Sequence, residues 1–280
     1  MLELSCADYT FPLLGRQEAL LLLRLLDFDF VDIGLFARNP NFLPSDLIAS
    51  PRQFINGVRS DLEVAALRPG DVFLQIGVDP TQDSANDPDA NVRSRARDTF
   101  SRALELCSAL QCTHITGLPG VPHADPTWDL ALAAEEAGWR LATSAGAGVT
   151  YSIEPHLGSI CCDTRATHAL LSQVPGLTLT LDYGHFIFQG ESNDAIHTLL
   201  PHASHMHLRG AAPGRLQTPV ADSTIDLQHI LRNSSNCSGK FALEYVWSDW
   251  QNCNRTDNLS ETILLRRQLT QIESNLNTTR

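Results

Sequence analysis

Three carboxylates and one imidazole fall near the ends of four successive apolar segments. They are Glu154 in TYSIEPH, Asp182 in LTLTLDYGH, His207 in ASHMHLRGA and Glu244 in KFALEYVW. Each segment is typical of a short β-strand, and the polar residue stands late in it. If the strands are neighbours in a parallel barrel, the four side chains converge on one point. Like charges at one point are strongly unfavourable without a cation, so the quartet predicts a bound metal ion.

The alternation within each segment supports this interpretation, because residues i and i+2 of a strand share a face. In the sixth predicted strand, Leu179 and Leu181 face one way, whereas Thr180 and Asp182 face the other. Every member of the quartet belongs to the smaller, more polar set of its strand. We expect this set to face a common interior and the large apolar set to pack on surrounding helices.

Strand and helix signals alternate eight times along the 280 residues. This alternation predicts a parallel sheet with crossover helices, and eight units predict closure as a barrel. A doubly wound open sheet would have a glycine-rich turn after the first strand, and residues 8–12 contain no glycine. No change in composition marks a second domain. We therefore predict an α/β fold, a single (β/α)8 TIM barrel over residues 1–280, with a frayed tail at 275–280.

The predicted elements follow from apolar periodicity and from proline and glycine signals. The strands before the quartet are residues 2–8, 31–35, 71–77 and 112–118. The helices are residues 16–26, 51–67, 90–110, 126–144, 163–173, 192–200, 224–232 and 258–274. The loops that follow the strands form the active face of such a barrel.

The charge pattern excludes two classes of activity. The net charge is −12 and the basic residues are dispersed, which disfavours a nucleic-acid partner. The single lysine, Lys240, begins the eighth predicted strand and so lies at the end opposite the active face. No lysine is then available there for Schiff-base chemistry.

The sequence also indicates a compartment. We find no signal-peptide pattern and no uncharged apolar run of about 18 residues, so we expect no membrane partner. The seven cysteines have no framework spacing, which indicates reduced thiols. We expect a cytoplasmic protein.

The strand-end motifs resemble those of a known superfamily. The segments IEPH, LDYGH, HMHLRG and LEY, in this order, are similar to those of the sugar phosphate isomerase/epimerase superfamily, the xylose isomerase-like barrels. The resemblance covers essentially the whole chain. It implies that Glu154, Asp182, His207 and Glu244 are metal ligands and that His185 contacts the substrate or a second metal.

The chain departs from particular members of that superfamily. Pro213 stands where epimerases of free ketohexoses carry an arginine, and Ile160 where they carry a second glutamate. Endonuclease IV has further histidines, but here Asp222 is followed two residues later by Thr224, and residues 75–77 include no histidine. These departures argue against DNA repair and leave the substrate open.

Three carboxylates and one imidazole suit a hard divalent cation, Mn²⁺ first, with Mg²⁺, Co²⁺ and Zn²⁺ as alternatives. Such an ion acts as a Lewis acid and stabilises the enediolate left when the α-proton of a hydroxyketone departs. The resemblance implies that Glu154 and Glu244 lie on opposite faces of the substrate. One removes the proton and the other returns it.

Five further residues are predicted to contact substrate. They are His156, His185, Arg209, Arg215 and Trp247. Arg209 and Arg215 are the nearest substitutes for the arginine that Pro213 replaces, and Arg209 shares the face of His207. His205, deeper on that face, is predicted to be a structural histidine with satisfied hydrogen bonds.

Three functions remain open at this point. The first is a metal-dependent isomerase or epimerase of a keto-sugar or related polyol, with or without a phosphate. The second is a dehydratase or lyase that uses the same metal site on a keto-sugar, inosose or 3-keto-glycoside. The third is a non-catalytic sugar or metal sensor, which the intact quartet argues against. A small sugar or polyol is the expected partner, and the resemblance is compatible with a homodimer or homotetramer.

Overall fold

The barrel predicted from the alternation of strands and helices is confirmed. The computed structural model describes residues 2–123, 125–234 and 237–278. Its strands are β1 (Leu4–Ala7), β2 (Phe30–Phe36), β3 (Arg68–Gln75), β4 (His114–Gly117), β5 (Thr150–Ile153), β6 (Thr178–Asp182), β7 (Ala203–Leu208), β8 (Gly210–Ala212), β9 (Arg215–Thr218) and β10 (Phe241–Leu243). Strands β1 to β7 and β10 pair in parallel and close on themselves, because β1 pairs with both β2 and β10. Strands β8 and β9 form a separate antiparallel hairpin.

Helices follow most barrel strands and cover the outside. They are α1 (Arg16–Leu25), α2 (Pro44–Ala49), α3 (Pro51–Ala65), α4 (Ala90–Leu110), α5 (Pro126–Gly146), α6 (Thr164–Gln173), α7 (Tyr183–Phe188), α8 (Asn193–His197), α9 (Leu227–Asn233) and α10 (Asn258–Thr278). The long helices begin at acidic caps: Asp89 and Asp125 accept backbone N–H groups of α4 and α5. Among the described helices, none combines the length and apolar character needed to cross a membrane.

Several predicted bounds differ from the observed ones. Strand β3 includes Pro69 and Gly70, because its first residues pair with β2 despite the turn-forming pair. The sequence patterns did not predict α2, α7 or the β8–β9 hairpin. Helix α10 continues through part of the tail predicted to fray, where the side chain of Gln271 donates to Asn275. Residues 279 and 280 lie outside the described part of the chain.

The barrel interior is polar, as the strand alternation predicts. The hydroxyl groups of Thr116 and Ser152 lie 2.7 Å and 2.6 Å from that of Thr180, so they form a hydrogen-bonded layer across the barrel. Leu179 and Leu181, which face the other way on β6, are fully buried in the apolar core between sheet and helices. The interior therefore holds polar side chains below the active face.

Lys240 lies at the end of the barrel where the strands begin, as predicted. Its ammonium group donates to the carboxylate of Glu3 at 2.6 Å, and it lies over the ring of Phe30, 4.2 Å from the centroid. Both partners stand at the start of β1 and β2. No described lysine is therefore available at the opposite, active end.

Candidate active site

The four predicted ligands lie where the strands end. Asp182 is the last residue of β6, and its Oδ1 accepts the N–H of Gly184, which caps α7. Glu154 and Glu244 directly follow β5 and β10, and His207 lies in β7 between them. In the sheet register, His207 is opposite Asp182 on one side and Ala242 on the other. The barrel thus brings residues from four strands to one place.

The quartet converges around Glu154. Nδ1 of His207 lies 2.6 Å from Oε1 of Glu154 and 3.5 Å from Oε2 of Glu244. Glu154 also belongs to a second group with Asp182 and His185, in which the potential ligand atoms lie within 4.8 Å of one another. All of these residues are buried. Two overlapping clusters therefore share one carboxylate.

Arg209 lies among these carboxylates and not at the rim of the cavity. Its Nη2 donates to Oδ2 of Asp182 and lies 3.7 Å from Oε2 of Glu244. The same atom is 3.1 Å from Nε2 of His185. The side chain is almost fully buried, so the guanidinium balances part of the negative charge of the site.

The carboxylates change the protonation of their neighbours. Burial and the nearby charge of Glu244 raise the pKa of Glu154 to about 7. Burial alone would lower the pKa of His207, but Glu244 and Glu154 raise it to about 10. The metal-free cluster therefore retains protons at neutral pH, because each proton reduces the repulsion between carboxylates.

Two histidines of the cavity are held neutral. Burial lowers the pKa of His156 to about 4. Burial, with the charge of Arg209, lowers the pKa of His185 well below its ordinary value. The Nε2 atom of His156 is buried without a hydrogen-bond partner among the described residues. Both predicted substrate contacts thus lie at the site as neutral imidazoles.

A cavity of about 540 Å³ opens above the cluster. Glu154, Glu244, His156, His185 and Arg209 reach it, and Trp247 lies in its wall, as predicted. Arg215 does not reach the cavity. It lies at the exposed tip of the otherwise buried β8–β9 hairpin, directly after the turn at Gly214, and its Nη1 lies 3.3 Å from Oδ2 of Asp222.

The sequence patterns did not predict the contact between Tyr9 and Glu244. The hydroxyl of Tyr9 donates to Oε1 of Glu244 at 2.7 Å, and Tyr9 also lines the cavity. Burial and the charge of Glu244 raise the pKa of this phenol well above its ordinary value. The position of Tyr9 just after β1 was a usable signal, since that loop belongs to the active face.

A buried His–Asp layer beneath the quartet was also missed. His205 Nε2 lies 2.7 Å from Oδ2 of Asp32, and His114 Nδ1 lies 2.7 Å from Oδ1 of Asp71. His205 Nδ1 accepts the N–H of Lys240, so the prediction of a satisfied structural histidine is confirmed. The one sequence signal for this layer was an aspartate inside each of the apolar strands β2 and β3.

The residues present fit a divalent cation. Oε2 of Glu244 is buried and accepts no hydrogen bond from the described residues, so it is free to act as a ligand. Three carboxylates supply hard oxygen donors, and Nδ1 of His207 points between two of them. This buried cluster can hold a metal ion.

A known protein family matches most of the length of this chain. A family model described as xylose isomerase-like TIM barrel matches residues 26–266. The chain belongs to this family. The superfamily resemblance of the strand-end motifs is thereby confirmed. A search of curated proteins finds no significant match.

Solved structures with low sequence identity share the fold. One described as L-ribulose 3-epimerase is 14% identical, with a TM-score of 0.76, covering 100% of this chain and 98% of the other. D-psicose 3-epimerase from Clostridium cellulolyticum H10 is 15% identical, with a TM-score of 0.69 and coverage of 98% and 97%. The probable 3-DHS dehydratase AsbF from Bacillus anthracis is 12% identical, with a TM-score of 0.68 and coverage of 94% and 99%. At these identities the likeness shows the fold alone.

Proposed function

We propose that the protein is a metal-dependent isomerase or epimerase of a keto-sugar or a related polyol. The observation that carries this proposal is that Glu154 and Glu244 both approach His207 Nδ1, at 2.6 Å and 3.5 Å, and that both carboxylates reach one cavity. Two carboxylates at one reacting centre suit removal and return of a proton. The epimerases among the proteins of similar fold support the same class.

In this proposal Glu154, Asp182, His207 and Glu244 hold the ion, with Mn²⁺ as the first candidate. The ion, when bound, supplies Lewis-acid stabilisation of the enediolate oxygen atoms. Glu154 and Glu244 act as the two bases. Tyr9 donates to Oε1 of Glu244 and so fixes which oxygen atom of that carboxylate faces the centre of the site.

The other cavity residues position the substrate in this proposal. Nδ1 of the neutral His156 donates to the carbonyl of Glu154 at 3.2 Å, so its Nε2 is free to accept from a sugar hydroxyl group. Nδ1 of the neutral His185 accepts the N–H of Leu157, so its Nε2 can donate to a sugar hydroxyl group. Trp247 supplies an apolar wall for a carbon face of the ring. Arg209 is the buried cation of the cavity, and it offers donors to an oxygen-rich substrate.

The test combines metal content with solvent-deuterium exchange into a panel of keto-sugars. We expect about one equivalent of metal in the wild type and metal-dependent exchange. Glu154→Gln and Glu244→Gln should each reduce exchange by about 10²–10⁴-fold. Glu105→Gln, which changes an exposed glutamate on α4, is the matched control and should leave exchange unchanged. A wild type that binds no metal after reconstitution would contradict the proposal.

A dehydratase or lyase is the second candidate, and the likeness in fold to a probable 3-DHS dehydratase favours keeping it. It begins with the same proton removal but then expels water or another leaving group. Mass spectrometry of the same reactions separates the two classes, since elimination of water lowers the product mass and epimerisation does not.

The remaining properties belong to the same proposal. We propose one domain over the whole chain, action in the cytoplasm, and assembly as a homodimer or homotetramer. Light scattering on the purified protein tests the assembly, and a monomer would contradict it. Sugar binding without metal or exchange would favour the sensor instead.

A further inference from the structure

We infer that Arg209 is an internal cation of the metal-free site, which must leave Asp182 when the metal ion binds. This inference rests on the proposed metal-dependent function. It gives Arg209 two positions, one against Asp182 and one in the cavity, where its guanidinium meets the substrate.

A metal ion bound to Asp182 and the guanidinium of Arg209 would lie close together. Nη2 of Arg209 donates to Oδ2 of Asp182 and lies 3.7 Å from Oε2 of Glu244. A metal ion binds carboxylate oxygen at about 2.0–2.2 Å. An ion on Oδ2 of Asp182 would therefore lie within about 5 Å of Nη2. Two cations this close in a buried site repel strongly, so the metal ion and the guanidinium compete for Asp182.

The hydrogen bonding of His185 disfavours the present position of the guanidinium. The backbone N–H of Leu157 donates to Nδ1 of His185 at 3.3 Å, so the proton of the neutral ring lies on Nε2. That atom faces Nη2 of Arg209 at 3.1 Å. Both groups are then donors, and the contact is unfavourable. Removal of the guanidinium would leave Nε2 of His185 facing Oδ2 of Asp182, 3.5 Å away.

The side chain of Arg209 is not held by hydrogen bonds at every donor. Nε of Arg209 is buried but has no hydrogen-bond partner among the described residues. The backbone that follows is firmly held, since the N–H of Gly210 donates to the hydroxyl of Tyr245 at 2.9 Å. The side chain can therefore change position while its backbone stays in place. The cavity of about 540 Å³, which Arg209 already lines, provides the space.

Arg209 can contact the substrate only after its guanidinium has left Asp182. Asp182 would hold the metal ion, and the guanidinium that leaves it would be free to donate to a carboxylate, phosphate or hydroxyl oxygen of the substrate. Arg209 thus neutralises the carboxylates until the ion replaces it.

The test measures Mn²⁺ affinity and thermal stability of the full chain. Arg209→Met keeps the length of the side chain but removes its charge. We expect it to bind Mn²⁺ about 10-fold or more tightly than the wild type, within the range typical of coupled sites. We also expect a lower melting temperature in EDTA and a larger rise on adding Mn²⁺, because tighter binding to the folded state gives greater stabilisation.

Arg215→Met is the matched control, because it removes the same charge from the exposed tip of the β8–β9 hairpin, outside the cavity. Its Mn²⁺ affinity should equal that of the wild type. If Arg215→Met binds Mn²⁺ as much more tightly as Arg209→Met does, the gain comes from the overall charge of the protein, and the inference is overturned. If Arg209→Met does not fold, Arg209→Lys replaces it. A lysine makes a less extensive contact with Asp182, so we expect a smaller gain in affinity.

The outcomes separate this inference from the proposed function. Equal or weaker Mn²⁺ binding by the Arg209 variants, with normal binding by the wild type, overturns the competition and leaves the function intact. Absence of binding by the wild type and all variants overturns both.

Discussion

Nδ1 of His207 and Oε1 of Glu154 are 2.6 Å apart in a buried contact. Nδ1 is also the imidazole atom that faces Glu244, so a metal ion held by the three residues would take the place of the shared proton. The pKa of His207 is raised to about 10 because, against the effect of burial, Glu244 and Glu154 stabilise its charged form. Proton and metal ion therefore compete for the same position.

We expect metal binding to release protons and to become tighter as pH rises from about 6 to about 9, since ligands must be deprotonated. Calorimetric titration with Mn²⁺ in buffers of different ionisation enthalpy gives the number of protons released. His207→Gln should release fewer protons and show a weaker pH dependence. A wild type that releases no protons at about pH 7 would contradict the prediction.

The metal-free protein should lose stability as pH rises from about 7 to about 10. The pKa of His207 is about 10 in the folded protein and near 6.5 when unfolded. Between these values the folded state keeps a proton that the unfolded state has released. The contribution of His207 to the free energy of unfolding is complete below the pKa of the unfolded state and is lost as the pH approaches 10. Buried neutral histidines such as His156 change the stability only below about pH 6.5, because the pKa of His156 is lowered to about 4 in the folded protein.

Urea denaturation in EDTA at about pH 7 and about pH 9 measures this loss. The same experiment on His207→Gln is the control, because cysteines and tyrosines also titrate at high pH and remain in both proteins. The variant should lose less stability between the two pH values than the wild type. An equal loss would assign the effect to those other groups.

The hydroxyl of Tyr9 should matter for activity. Tyr9→Phe removes the donor to Oε1 of Glu244, and a hydrogen bond to a charged group contributes about 1.5–3 kcal/mol. We expect kcat/KM to fall about 10–100-fold, which is that energy converted to a rate. Tyr183→Phe is the matched control, since the buried hydroxyl of Tyr183 has no hydrogen-bond partner among the described residues. Equal effects in the two variants would contradict a specific role for Tyr9.

The fold and the convergence of the quartet were predictable because they depend on local patterns. Asp182 and His207 each stand at the polar phase of an apolar strand, and the end of the strand defines the active face. Neither inference requires knowledge of which distant residues touch. The family resemblance depended on the same strand-end residues.

The contacts that tune the site were not predictable in this way. Tyr9 and Glu244 are 235 positions apart, and His205 and Asp32 are 173 positions apart. Such pairs form only because barrel closure brings the first strands to the last ones. The placement of Arg209 on Asp182 depends on a choice of side-chain conformer, which strand periodicity does not determine.

Asp32 should orient His207 from below. Nε2 of His207 is buried without a hydrogen-bond partner among the described residues and lies 3.8 Å from Oδ2 of Asp32. A carboxylate behind a metal-binding histidine fixes its ring and typically changes metal affinity 10–100-fold. We therefore expect Asp32→Asn to weaken Mn²⁺ binding about 10–100-fold, measured by calorimetric titration.

Asp71→Asn is the matched control for Asp32→Asn, because Asp71 is equally buried but bonds to His114. Each variant breaks one buried His–Asp pair and should lower the free energy of unfolding by a similar amount, about 3–5 kcal/mol. The loss of metal affinity should be larger for Asp32→Asn, since Oδ2 of Asp32 lies 3.8 Å from Nε2 of His207, whereas Asp71, although a member of the same group of potential ligands, bonds to His114. If both variants lose the same metal affinity, the loss reflects general damage to the barrel interior and Asp32 has no separate role in positioning His207.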